Sequence, residues 1–183
     1  MELKEKKIMS ETIFEGHILT LQKDTVLCPN GNITTREVAR HAEAAAMLVI
    51  RDDKVLIERQ YRYPYDEIML EIPAGKMDEG ETPLQTAKRE LEEETGYCAH
   101  EMTYLGKIYP SCGFTDEIIH LFLAQNLEEC QKHWDENERL ELLWFSIDEL
   151  KSLILEGKIT DAKTICALQF YFLQQERNKK EEK

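Results

Sequence analysis

The first part of the chain has the hydrophobic and polar pattern of β-strands separated by turn residues. Residues 8–27 have strand-like composition, and residues 29–32 (PNGN) form a turn signal that leads into a further run at 33–41. This pattern predicts an antiparallel β-hairpin at the N-terminus.

A second hairpin is predicted immediately afterwards. The runs at residues 42–50 and 55–59 flank two aspartates, Asp52 and Asp53, at the position of a tight turn. A short strand at residues 67–72 follows and leads into a Pro-Ala-Gly sequence.

The next segment has the signals of an α-helix. Thr82, Pro83 and Gln85 form a capping box with proline at the first helical position, and Gly96 provides the C-terminal stop. Apolar residues recur at helical spacing and are expected to form the buried stripe. They are Leu84, Ala87 and Leu91.

The pattern returns to strands after this helix. We predict strands at residues 104–109 and 118–124, and another at residues 142–146. Residues 125–141 are acidic and lack periodicity, and structureless segments of this length are usually functional or disordered.

The C-terminal part is predicted to contain two helices. Ser146 caps a helix over residues 147–155, and a last helix begins at Asp161 or Thr164. Residues 178–183 are predicted to form a disordered tail.

These elements predict an α+β fold in which one mixed β-sheet is sandwiched between helices. The 183 residues and 42% apolar content suit one domain. We expect that domain over residues 42–177, preceded by a β extension over residues 1–41.

The net charge of the chain excludes some classes of binding partner. There are 23 Lys and Arg against 36 Asp and Glu, a net charge of −13, which argues against nucleic acid and anionic membranes. Apolar runs fall short of the roughly 20 residues of a membrane span. The charged N-terminus also lacks the apolar segment of a signal peptide.

The cysteines suggest a reducing environment. They are odd in number and show no CxxC spacing, so we expect neither a disulfide nor a zinc site, and we expect a cytoplasmic location. They are Cys28, Cys98, Cys112, Cys130 and Cys166.

Carboxylates crowd near the end of the predicted helix. Glu90, Glu93 and Glu94 are three or four residues apart, so they share a helix face and repel one another unless a cation lies between them. Neighbouring carboxylates suit a hard divalent cation such as Mg²⁺, which usually lies beside substrate phosphates. A solvated acidic surface is the alternative interpretation.

The segment from Gly75 to Tyr97 resembles the Nudix box, G-x5-E-x7-R-E-U-x-E-E-x-G-U, where U is a bulky apolar residue. Tyr97 at the last U position is aromatic, which affects packing rather than chemistry. Every other fixed position matches. The matching residues are Gly75, Glu81, Arg89, Glu90, Leu91, Glu93, Glu94 and Gly96.

The segment at residues 109–124 (YPSCGFTDEIIHLFLA) resembles the ADP-ribose pyrophosphatase branch of this family, with Cys112 in place of a usual proline. The resemblance implies the Nudix fold and hydrolysis of ADP-ribose to AMP and ribose 5-phosphate. It also implies a homodimer in which the N-terminal extension, residues 1–41, serves dimerisation through strand exchange. Other substrates remain open, namely a nucleotide sugar such as GDP-mannose or a diadenosine polyphosphate. A non-catalytic nucleotide sensor is a further alternative.

The resemblance also implies the metal ligands. Glu90, Glu94 and the carbonyl of Ala74 are expected to bind two or three Mg²⁺ or Mn²⁺ ions, with Glu93 as a further ligand or a residue that orders water.

The remaining residues of the box are expected to orient the ligands. Glu81 and Gly75 have this role at the start of the helix. Arg89 is expected to hold a neighbouring glutamate in place rather than contact the substrate.

Two glutamates of the acidic segment are candidates for the late steps of the reaction. The family resemblance assigns Glu136 as general base and Glu138 as an added metal ligand, or the reverse, and an acidic surface loop is the alternative.

Four residues are expected to bind substrate. Arg62 matches an arginine that contacts the phosphates. Arg36 and Glu37 match residues near the adenine that come from the partner in the dimer, or else form an exposed cross-strand pair. Glu117 is expected to face the terminal ribose or a metal.

Overall fold

The computed structural model describes residues 2–130 and 139–181. The chain divides into two compact units, one formed by Met1–Glu43 and Tyr109–Ile118 and the other by Ala44–Ile108 and Ile119–Lys183. None of the helices in the described ranges is both long and apolar enough to cross a membrane.

The first unit is built on an antiparallel sheet of three strands in the order β1-β2-β3. Gly16 interrupts the run that was predicted as continuous, and its N–H donates to the carbonyl of Leu19, so that one predicted arm of the hairpin is two strands. The strands are β1 (Lys6–Glu15), β2 (Leu19–Leu27) and β3 (Ile33–His41).

The second unit contains a sheet of seven strands in which β10-β5-β4-β9-β8 form a continuous path, with β6 paired to β5 and β7 to β4. The pairing of β4 with β9 is parallel and the others are antiparallel, so the sheet is mixed, as predicted. The strands are β4 (Ala44–Arg51), β5 (Lys54–Arg62), β6 (Glu67–Glu71), β7 (Ala74–Lys76), β8 (Tyr97–Ile108), β9 (Ile119–Glu129) and β10 (Leu140–Ser146).

Three α-helices complete the second unit. The first passes directly into a five-residue π-helical turn, Leu91–Thr95, which Gly96 ends with a left-handed φ of 70°. The capping boxes predicted at Thr82 and Ser146 are both confirmed. The helices are α1 (Pro83–Glu90), α2 (Ile147–Leu155) and α3 (Ala162–Glu181).

Strand β4 lies at the centre of the core and is buried on both faces. Ala46 and Leu48 pack on one face with Leu150 of α2 and Leu168 of α3. Side chains of successive strand residues point to opposite faces, so Met47 packs on the other side, with α1. This arrangement confirms the sheet between helices.

Several predicted boundaries and one buried position are wrong. Leu84 is 41% exposed and does not belong to the buried stripe, whereas Ala87 and Leu91 are buried. Strand β9 continues to Glu129 because it pairs with β8 along most of its length, and α3 is helical as far as Glu181.

The prediction of no disulfide is also wrong. Cys98 and Cys130 form one, at the start of β8 and just after β9, and the pairing of these two strands brings the cysteines together across 32 residues of sequence. The cysteines therefore no longer support a reducing compartment.

Candidate active site

Arg89 is the centre of a hydrogen-bonded cluster at the end of α1. Its Nε and Nη2 donate to the two carboxylate oxygens of Glu81 at 2.8 and 2.9 Å. Its Nη1 donates to Glu90 at 2.7 Å and to Glu93 at 3.0 Å. One guanidinium thus contacts three of the four glutamates of the motif, and the orienting role of Arg89 stays a prediction.

Strand β7 brings the backbone close to the same glutamates. The N–H of Ala74 donates to Glu94 Oε2 at 3.0 Å. A Cβ at Gly75 would lie 1.9 Å from the carboxyl carbon of Glu90, so this position has room only for glycine while Glu90 keeps its place. The start of β7 and the end of α1 thus lie side by side.

The hydrogen bonds of this cluster perturb its titration. Those from Arg89, from the Thr86 hydroxyl and from the backbone N–H of Asp78 lower the pKa of Glu81 to about 2. The same bond with Glu81, followed by those with Glu90 and Glu93, raises the pKa of Arg89 above its ordinary value. Glu81 is therefore ionised across the physiological pH range.

The donor set suits a hard divalent cation. The carboxylates of Glu81, Glu90 and Glu93 contact the single guanidinium of Arg89, and Glu94 accepts from the backbone of Ala74, which leaves an excess of negative charge on oxygen donors. Within residues 2–130 and 139–181, no three His, Cys, Asp or Glu side chains already converge as a metal site. The assignment of the metal ligands stays a prediction.

Arg62, predicted to contact phosphates, lies in the same unit. Its Nε and Nη2 donate to the carboxylate of Glu71 at 2.7 and 2.9 Å. The hydrogen bond with Glu71, together with the negative charges of Glu71, Glu94 and Asp161, raises the pKa of Arg62. Glu71 lies three residues before Ala74, whose N–H donates to Glu94, so the chain connects Arg62 to the Arg89 cluster over a short distance in sequence.

Sequence reasoning missed the residues that hold Arg62. Glu71 and Lys163 form a salt bridge although 92 positions separate them, and no local pattern marks such a pair. The structure buries Glu71 at the end of β6, and a buried charge requires a partner, but a glutamate at the end of a strand is no signal by itself.

Arg36 and Glu37 lie in the first unit, on β3. The side chain of Arg36 is paired with Glu5, through Nε at 3.1 Å and Nη2 at 2.5 Å. Glu37 is opposite Lys23 in the β2–β3 register. Their role near the adenine stays a prediction.

Glu117 is also in the first unit. One of its carboxylate oxygens is 3.6 Å from Nδ1 of His41. The neighbouring Asp116 accepts from the backbone N–H of His41 at 3.0 Å and pairs with Arg40, which fastens the segment Tyr109–Ile118 to β3. Cys112 in this segment is exposed.

Glu136 and Glu138 lie outside the residues that the structure describes. Their predicted roles as general base and added metal ligand stay predictions.

Two family models match the chain and together cover most of it. Residues 40–168 match the NUDIX domain. Residues 5–39 match the nucleoside diphosphate sugar hydrolase N-terminal domain.

The chain is also similar to curated proteins over almost its whole length. It is 44% identical over 174 residues to a methanol dehydrogenase activator of Bacillus methanolicus, with 93% of this chain and 94% of the relative covered. It is 40% identical over 176 residues to an ADP-ribose pyrophosphatase of Bacillus subtilis (strain 168), with 94% and 95% covered.

Among solved structures, the crystal structure of an ADP compounds hydrolase matches with a TM-score of 0.88 over 97% of this chain and 98% of that one. The two are 23% identical, so this likeness concerns the fold.

Proposed function

The chain belongs to the Nudix family, and we propose that it hydrolyses the pyrophosphate bond of ADP-ribose to give AMP and ribose 5-phosphate. The observation that carries the proposal is the complete set of motif glutamates gathered by Arg89 and Ala74. The substrate is supported by the 40% identity to a relative named ADP-ribose pyrophosphatase.

The glutamates of the cluster have separate tasks in this proposal. Glu90, Glu93, Glu94 and the carbonyl of Ala74 would hold two or three divalent cations, Mg²⁺ or Mn²⁺. When bound, such ions offset the charge of the diphosphate and lower the pKa of the attacking water. Arg89 holds the carboxylates of Glu90 and Glu93 in place through hydrogen bonds of 2.7 and 3.0 Å.

Arg62 would bind the oxygens of the diphosphate. A guanidinium presents several N–H donors in one plane, which suits phosphate oxygens. Its Nε and Nη2 are occupied by Glu71, and 38% of its side chain is exposed. The diphosphate would therefore meet the exposed part of Arg62 on one side and the glutamate cluster on the other.

We also propose that the active form is a homodimer in which the first units of two copies meet. All residues of β1 are exposed in the single chain, although several are large and apolar. Exposed apolar surface of this kind is costly unless a partner covers it. In this arrangement Arg36 and Glu37 of one copy would contact the adenine bound by the other.

Product analysis tests the proposed reaction. Purified protein with Mg²⁺ is incubated separately with ADP-ribose, GDP-mannose and diadenosine polyphosphates, and the products are separated by chromatography. We expect AMP and ribose 5-phosphate from ADP-ribose at the highest kcat/KM, and no turnover by the matched variant Glu94→Gln. Faster hydrolysis of another compound would move the assignment to that substrate. Nucleotide binding without turnover of any compound would identify a sensor.

A further inference from the structure

The guanidinium of Arg62 is fixed by a buried carboxylate. Glu71 is 3% exposed, and both of its oxygens accept hydrogen bonds from Arg62, at 2.7 and 2.9 Å. Two parallel bonds to one carboxylate set the plane of a guanidinium as well as its position. The direction in which Arg62 faces is therefore decided by where Glu71 is held.

Glu71 is in turn held by the start of α3. The Lys163 ammonium donates to Glu71 Oε2 and lies 3.1 Å from Asp161 Oδ1. Lys163 itself is 9% exposed. The carboxylate of Glu71 thus lies between two cations, one from β5 and one from α3.

A second contact joins the end of β6 to the start of α3, through the hydroxyl of Thr164. The hydroxyl of Thr164 accepts a hydrogen bond from the backbone N–H of Ile72 at 2.9 Å and donates to Asp161 Oδ2 at 2.6 Å. Since Ile72 follows Glu71 and Thr164 follows Lys163, the end of β6 and the start of α3 are joined at two adjacent positions.

The network of ion pairs is balanced in charge, and one of its members is much more exposed than the others. Two carboxylates, Glu71 and Asp161, balance two cations, Arg62 and Lys163. When side-chain atoms alone are counted, Arg62 is 38% exposed, against 5% for Glu71, 11% for Lys163 and 15% for Asp161. Arg62 is thus the open end of a largely buried chain of ion pairs.

Stability alone is a weak reason for such a network. Burying ion pairs costs desolvation free energy that their attraction only partly repays, and apolar replacements are often as stable. Burial would raise the pKa of Glu71, but the hydrogen bond from Arg62 and the charge of Lys163 outweigh it and keep the pKa low. Glu71 is therefore ionised, and its carboxylate holds the guanidinium of Arg62 in place.

We propose that Glu71 and Lys163 are positioning residues for substrate binding, acting through Arg62 to hold its guanidinium against the diphosphate. This inference rests on the proposed function, in which Arg62 contacts the diphosphate. It adds to that function a connection from the start of α3 to the substrate.

A double-mutant cycle tests whether Lys163 acts through Arg62. The four proteins are the wild type, Lys163→Gln, Arg62→Ala and the double variant, assayed with ADP-ribose at saturating Mg²⁺. We expect Lys163→Gln alone to raise KM about tenfold with kcat changed less than about twofold, because ground-state contacts are lost. In the Arg62→Ala background the same substitution is expected to change kcat/KM by less than about twofold.

Equal losses of kcat/KM in both backgrounds would overturn the proposal, because Lys163 would then act independently of Arg62. Glu71→Gln in the same cycle provides a second test if Lys163→Gln does not fold. Lys163→Arg keeps the positive charge and is expected to retain KM within about threefold. The matched control is Lys158→Gln, which removes an exposed pair with Glu156 and should leave KM unchanged.

The outcome separates this inference from the proposed function. If the wild type does not hydrolyse ADP-ribose, the proposed substrate is wrong, and the cycle is repeated on the diphosphate compound that is hydrolysed. If the wild type is active but the two substitutions are additive, the reaction stands and the positioning role is wrong.

Discussion

Two arginines organise the second unit of this protein in opposite ways. Arg89 is surrounded by more carboxylates than it can neutralise, and its partners all lie between residues 74 and 94. Arg62 belongs to a balanced network with Glu71, which is fixed by Lys163 from a distant part of the sequence. A surplus of carboxylates favours a bound cation, as we propose for the Arg89 cluster, whereas the balanced network around Glu71 holds the Arg62 side chain in position.

The largest expected effect comes from removing one charge of the Arg89 cluster. We predict that Glu94→Gln lowers kcat by at least about 100-fold at saturating Mg²⁺, because a ligand for the catalytic cation is lost. Thermal unfolding should show a folded protein. The assignment of the cluster to catalysis fails if this variant, or Glu93→Gln, keeps a kcat near that of the wild type.

A smaller effect is expected from crowding the cluster without changing its charge. The added methyl of Gly75→Ala would collide with the Glu90 carboxylate, which can move because it ends a flexible side chain. We predict roughly 10- to 100-fold lower kcat, the effect of a misplaced catalytic group, with little loss of stability. Gly80→Ala would not serve as a control, since Gly80 has a φ of 86°. Gly113→Ala suits better, because its Cβ would meet nothing within 4 Å.

The acid dependence of stability tests how strongly Arg89 acts on the carboxylates of its cluster. The pKa of Glu81 is lowered from 4.5 to about 2, so its contribution to stability is complete above pH 4.5 and is lost as pH falls towards 2. We predict that Arg89→Gln, which removes the cause of the low pKa, gives a shallower fall in unfolding free energy over that range.

Denaturant unfolding at several pH values measures this slope. Glu81→Gln should give the same shallower fall, because it removes the titrating group itself. Lys158→Gln is the control and should leave this slope unchanged, since Lys158 pairs with the exposed Glu156 and not with Glu81. An unchanged slope in Arg89→Gln would show that Arg89 does not control the titration of Glu81.

Much of the fold could be predicted because its signals are local. The capping boxes at Thr82 and Ser146 depend on residues three positions apart, and the helices begin where these boxes place them. The missed features depend on pairing across the sheet. Strand β9 extends to Glu129 only because β8 lies beside it, and the same pairing joins Cys98 to Cys130.

The sequence by itself determined the family, the mixed sheet between helices and the cluster around Arg89. Helix geometry repeats over three to four residues, so spacing along the chain is enough to place Arg89 beside Glu93. Only the tertiary structure decided that Glu71 meets Lys163 and that Cys98 meets Cys130. Such contacts arise when distant segments pack into one core, and the spacing of neighbouring residues does not predict that packing.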